Sequence, residues 1–105
     1  MNVDQLKDFF ESNNFNVHLY EQDGIQCGEI ESWTDGGVDM IIDINPFSVE
    51  SFTKCVEDFD IDSEIDVHRQ DKTYVSAFSI KASLKDFGKY HKYLKGLAKE
   101  LIGKI

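Results

Sequence analysis

The sequence predicts an α+β fold: a three-stranded antiparallel meander packed on one face by helices, in the order α-β-β-β-α-(α)-α. Three observations carry that prediction. Residues 3–13 and 83–101 place apolar side chains at spacings of three and four, the period of an amphipathic helix. Residues 15–44 hold runs in which apolar and polar residues alternate, the period of a half-buried strand. The runs are separated by "EQDG" and "TDGG", both turn signals.

Taken in order, Val3, Leu6, Phe9 and Phe10 form the apolar side of the first helix, with Asp4, Lys7, Asp8 and Glu11 opposite, and Asn13-Asn14 ends it. Phe15, Val17 and Leu19 alternate with Asn16, His18 and Tyr20 in the first strand. Ile25 to Trp33 is the second strand, and residues 38–44 are the third. Their register follows from burial. A two-residue Asp35-Gly36 turn would pair Trp33 with Val38 and Glu31 with Met40, setting two glutamates on the apolar face. A three-residue Asp35-Gly36-Gly37 loop pairs Thr34 with Val38, Ser32 with Met40 and Ile30 with Ile42. A slip of one residue moves every side chain to the other face, so the apolar set selects the three-residue loop. One face is then Gly28, Ile30, Ser32, Val38, Met40, Ile42 and Ile44; the other is Glu29, Glu31, Trp33, Asp39, Ile41 and Asp43.

Pro46 and Ser48 open a second helix, with Ser48 as its cap and Val49, Phe52, Val56 and Phe59 on its apolar side. Ile61, Ile65 and His68 favour a short third helix, although Ile65 and Val67 also allow an extended piece. "TYVSAFS" is a short strand or a buried turn. The last helix has the clearest pattern. Ser83 begins it, Leu84, Phe87, His91, Leu94, Leu97 and Leu101 form its stripe over about five turns, and Asp86 stands where a capping box has its acid.

The totals bound the function. A chain of 105 residues is expected to be one domain, large enough to fold without staples. "MNVDQLKDFF" lacks the basic and apolar regions of a signal peptide, and no apolar run reaches the ~20 residues of a membrane span. A cytoplasmic chain with Cys27 and Cys55 as reduced thiols is expected. The formal charge is −9 and unevenly spread. Residues 1–79 carry eighteen Asp and Glu against four Lys and Arg, a balance of −14; residues 80–105 carry seven Lys against two acids, a balance of +5. Such a body repels nucleic acid over most of its surface and attracts a basic protein, or a second copy of itself head to tail.

Asp58, Asp60 and Asp62 match positions one, three and five of an EF-hand loop. Ser63 then replaces the glycine of the sharp turn and Arg69 the bidentate glutamate, so a solvated acidic helix start is the better reading. His18, His68 and His91 have no metal spacing with the cysteines, and His91 falls on an apolar stripe as a satisfied core histidine would. No cofactor, metal or catalytic residue is expected. Lys81, Lys85, Lys89, Lys92 and Lys99 keep to one side of the last helix, as a solvated face, a polyanion stripe or a contact between subunits. The sheet face of Glu29, Glu31, Trp33, Asp39, Ile41 and Asp43 is the candidate partner-binding site, because an exposed aromatic among carboxylates suits an interface core. The alternative is that a loop or residues 61–78 cover Trp33.

"EIESWTDGGVDMIIDINPFSVESF", followed by "DFDIDSEIDVHRQDKTYVSAFSIKASLKDFGKYH", resembles a family of small acidic proteins carried by phages and conjugative elements, over residues 28–95. The resemblance implies a function in the contest between mobile elements and hosts, of the antirestriction or anti-CRISPR kind. Proteins of that kind are small, acidic and non-enzymatic, and often occupy a nucleic-acid-binding surface. The expected function is therefore a protein-binding inhibitor whose partner is a basic surface on a nucleic-acid-binding host defence protein, without direct contact to nucleic acid or membrane. A dimeric structural or regulatory adaptor is the alternative.

Overall fold

A computed structural model describes the backbone of residues 1–71 and 80–104, and side chains over 1–67 and 83–104. Helix α1 (Val3–Ser12) starts with a reciprocal cap: Asn2 Oδ1 accepts the Gln5 N–H at 2.8 Å, and Gln5 Oε1 accepts the Asn2 N–H at 3.0 Å. Asn14, at φ 66°, takes the left-handed conformation that a short amide tolerates and turns the chain into the sheet.

Strands β1 (Asn16–Gln22), β2 (Ile25–Trp33) and β3 (Asp39–Ile44) form one antiparallel sheet in the order β1-β2-β3. Asp23 and Gly24, at φ 54° and 79°, make the two-residue turn between β1 and β2, and positive φ at both positions matches the twist of the flanking strands. Between β2 and β3 the loop has three residues, as the burial argument requires. Thr34 N–H donates to Val38 O at 3.0 Å, Gly37 N–H donates to Thr34 O at 2.9 Å, and Gly37 supplies φ 88°. Ile30 faces Ile42 and Ser32 faces Met40.

Helix α2 (Val49–Glu57) is capped by Ser48, whose Oγ accepts the Ser51 N–H at 3.2 Å. Helix α3 (Ile61–Asp71) resolves the ambiguous acidic stretch in favour of a helix. Asp60 Oδ1 accepts from the N–H groups of Asp62 and Ser63 at 3.0 and 3.3 Å, so this carboxylate serves as a helix cap. The "TYVSAFS" segment lies outside the described residues. Helix α4 (Ile80–Ile102) closes the chain.

The helices cover one face of the sheet. Phe10, fully buried, meets Phe52 edge-on at 4.9 Å and Phe15 at 5.5 Å between ring centroids. Ile30, Ile44, Phe87, Leu94 and Leu101 complete this core. Gly28 faces it too, and a Cβ there would fall 2.6 Å from the Phe47 ring, so the strand can hold no larger residue without displacing that phenylalanine.

Two expectations for α4 are overturned. Leu84 is 42% exposed. Ser83 and Asp86 do not form a capping box, because the helix begins at Ile80 and both lie inside it. The buried arc runs Ser83, Phe87, Tyr90, Leu94, Leu97, Leu101. Leu84 stands one position, about 100°, off that arc. His91 is half-buried as a satisfied histidine: its Nε2 lies 2.9 Å from Val56 O, and a carbonyl only accepts, so Nε2 carries the proton.

Candidate functional site

The outer face of the sheet is built by strand parity. With Ile30 and its even-numbered neighbours turned to the helices, Glu29, Glu31 and Trp33 of β2 and Asp39, Ile41 and Asp43 of β3 turn outward. All six predicted site residues share this one face. Trp33 is 51% exposed and Ile41 60%, the reverse of what a core pair would show. Glu31 opposes Ile41 and Trp33 opposes Asp39, so the two apolar side chains are diagonal neighbours ringed by carboxylates.

β1 adds residues that the sequence reading left out of the site. Asn16, His18 and Tyr20 stand opposite Glu31, Glu29 and Cys27. Asn16 Nδ2 donates to Glu31 Oε1 at 3.3 Å, and Tyr20 donates its hydroxyl to Asp43 Oδ1 at 2.6 Å. The Tyr20 bond crosses from β1 to β3 above β2. Cys27 points to the same side, directly opposite Tyr20, yet is fully buried. Donation to the Asp43 carboxylate raises the Tyr20 hydroxyl to about 12, with partial burial and the Asp43 charge adding to it. The signal for these residues was present: the Asp23-Gly24 turn fixes Gln22 against Ile25 and hence the whole β1 register.

Trp33 sits on a braced support. Its neighbours Ser32 and Thr34 point the other way, into α4. Ser32 Oγ and the Tyr90 hydroxyl share a hydrogen bond of 2.6 Å. Thr34 Oγ1 donates to Asp86 Oδ2 at 2.6 Å and accepts the Val38 N–H at 3.1 Å, while Gly36 N–H donates to Asp86 Oδ1 at 2.9 Å. The acid read as a cap is in fact a buried anchor for the hairpin tip. Beside Trp33 a notch of about 330 Å³ is lined by Asp35, Lys89 and Tyr93 among others. On the face itself a hollow of about 160 Å³ lies between His18, Glu29, Glu31 and Ile41.

Other candidate chemistry is weaker. No group of His, Cys, Asp and Glu suited to a metal ion occurs among the described residues. Cys55 is half-buried with its thiol 3.5 Å from Asp43 O, and burial, then the charges of Asp43 and Asp58, push it upward from the usual thiol range, which suppresses thiolate chemistry. Lys85, Lys89, Lys92 and Lys99 of α4 are exposed; the Lys81 side chain lies outside the described residues. Among the described residues no helix is long and apolar enough to cross a membrane. Compared with known proteins, the chain matches no family model, no curated protein and no solved structure.

Proposed function

We propose that this chain is a non-enzymatic binding module that seats its acidic sheet face on a basic, nucleic-acid-binding protein surface and occupies it, as an inhibitor carried by a mobile element would do to a host defence protein. One observation carries the reading: Trp33 and Ile41 are exposed together among Glu29, Glu31, Asp39 and Asp43 on one face of the sheet. The carboxylates steer encounter with a basic groove, and the aromatic ring, once desolvated, slows release. The excess of acids also disfavours nucleic acid as the direct ligand.

The test is retention of host proteins on the immobilised chain at low and high salt, with Trp33→Ala in parallel. A basic nucleic-acid-binding protein held by the wild type, shed at high salt and lost from Trp33→Ala supports the reading. Equal retention by Trp33→Ala contradicts it. The adaptor alternative draws on the exposed lysines of α4, which complement the acidic face of a second copy. A dimer that grows with concentration and dissolves in salt, with no other partner retained, favours it.

A further inference from the structure

The hydrogen-bond pattern of the β2–β3 hairpin fixes which way each main-chain group of β3 points. Thr34 N–H donates to Val38 O across directly opposed residues, so that pair is of the hydrogen-bonded kind. Pairs alternate along an antiparallel ladder. Ser32–Met40 and Ile30–Ile42 are therefore hydrogen-bonded, and Trp33–Asp39, Glu31–Ile41 and Glu29–Asp43 are not. The N–H and C=O of Ile41, and the N–H of Asp43, accordingly point away from β2, past the edge of the sheet. The Asp43 carbonyl on that side meets the Cys55 thiol.

That edge is the floor of a cleft of about 580 Å³. Met40 to Asp43 line it consecutively, and Cys55 of α2, Asp58, Phe59 and Asp60 between α2 and α3, and Ser63 and Glu64 of α3 form the far wall. Four residues of strand span about 13 Å at ~3.3 Å each, the length of a short extended peptide. Among its described lining residues the cleft has the acids Asp43, Asp58, Asp60 and Glu64 and no basic side chain. An edge strand is a template for pairing, and charge decides with whom. The β3 edge of a second copy would bring its own acids and be repelled. A strand carrying Lys or Arg at alternate positions would be drawn in.

We propose that the β3 edge is a second contact site, where an extended basic segment of a protein partner adds as a fourth strand beside Ile41 and Asp43. Main-chain hydrogen bonds would supply affinity, and the acids Asp58, Asp60 and Glu64 the preference for basic side chains. The inference rests on the reading that the partner is a basic protein, but uses the main-chain edge of β3 rather than the outward side chains around Trp33.

The experiment uses a capped eight-residue peptide alternating Lys and Val, and the same peptide N-methylated at its four central residues. Methylation keeps the side chains and charge and removes strand pairing. Binding is followed by amide chemical shifts of the full chain. The expected result is a low-salt complex that shifts Ile41 and Asp43 amides, weakened about tenfold or more by methylation. Ile41→Pro should weaken it similarly, because that proline removes an outward N–H and leaves the β2 ladder intact. Trp33→Ala should leave the peptide complex unchanged. Equal binding of the methylated peptide, shifts at the β1 edge instead, or no binding at low salt would each overturn strand addition. None of these bears on whether Trp33 anchors a folded partner, which the Trp33→Ala retention test decides separately.

Discussion

Replacing Asp86 should loosen the hairpin that carries Trp33, and the size of the effect can be worked out from its bonds. Asp86 is 9% exposed and accepts from the Thr34 hydroxyl at 2.6 Å and the Gly36 N–H at 2.9 Å. A hydrogen bond to a charged group contributes about 1.5–3 kcal/mol. The Gly36 loop is exposed, so water takes over its N–H and that bond counts at the low end. The Thr34 hydroxyl is buried and loses its acceptor. Asp86→Ala should therefore cost about 3 kcal/mol, which at roughly 4–8 °C per kcal/mol for a domain near this size lowers the melting temperature by about 12–24 °C. Asp86→Asn keeps the shape but has one acceptor oxygen. Turned toward Gly36 N–H, that oxygen leaves the buried Thr34 hydroxyl proton without its acceptor; turned toward Thr34, it sets the amide NH2 against the Gly36 N–H. A loss of about 1–2 kcal/mol is expected. Thermal melts followed by circular dichroism measure both. An Asp86→Ala protein that melts within about 4 °C of wild type would refute the anchoring role.

Three further outcomes are expected. Leu94→Ala, at a fully buried position, should cost about 2–5 kcal/mol in urea denaturation, whereas Leu84→Ala, at a position 42% exposed, should stay within about 0.5 kcal/mol of wild type; equal losses would contradict the placement of the buried arc. Tyr20 should ionise near 12 by phenolate absorbance, where an ordinary tyrosine ionises near 10. Because its folded value is raised, the stability it contributes is fully present below pH 10 and is lost as pH climbs through 12, so the melting difference between wild type and Tyr20→Phe should narrow across that window and hold steady below it.

The sheet was legible because its two faces differ so much in chemistry. A register one residue off Ile30 against Ile42 sets Glu29 and Glu31 on the apolar face, and Gly37 is placed where a three-residue loop needs a positive φ. Ser48 before Val49-x-x-Phe52 likewise announced α2 by local capping chemistry. The missed features all depend on distance in sequence. Asp86 is 52 residues from Thr34, and a short acid three after a serine resembles a cap until the hairpin is seen beside it. Leu84 fits an apolar stripe drawn from Ser83 onward, and only the true helix start and the packing of Tyr90 against Ser32 show that the buried arc runs beside it. The Tyr20 bond to Asp43 needs β1 and β3 set on either side of β2, and the β3 cleft needs α2 and α3 placed against the sheet edge; neither is encoded in any one segment.

Trp33 is the only tryptophan in the chain, so its fluorescence reports on the outer face alone. Acrylamide quenching of that emission, before and after addition of a basic nucleic-acid-binding protein retained at low salt, reads the proposed interface at its anchor. The ring should be open to quencher in the free chain, in keeping with its 51% exposure, and shielded in the complex, with the shielding reversed by salt. A complex that forms while Trp33 stays as open to quencher as before would place the partner on another surface and rule out Trp33 as its anchor.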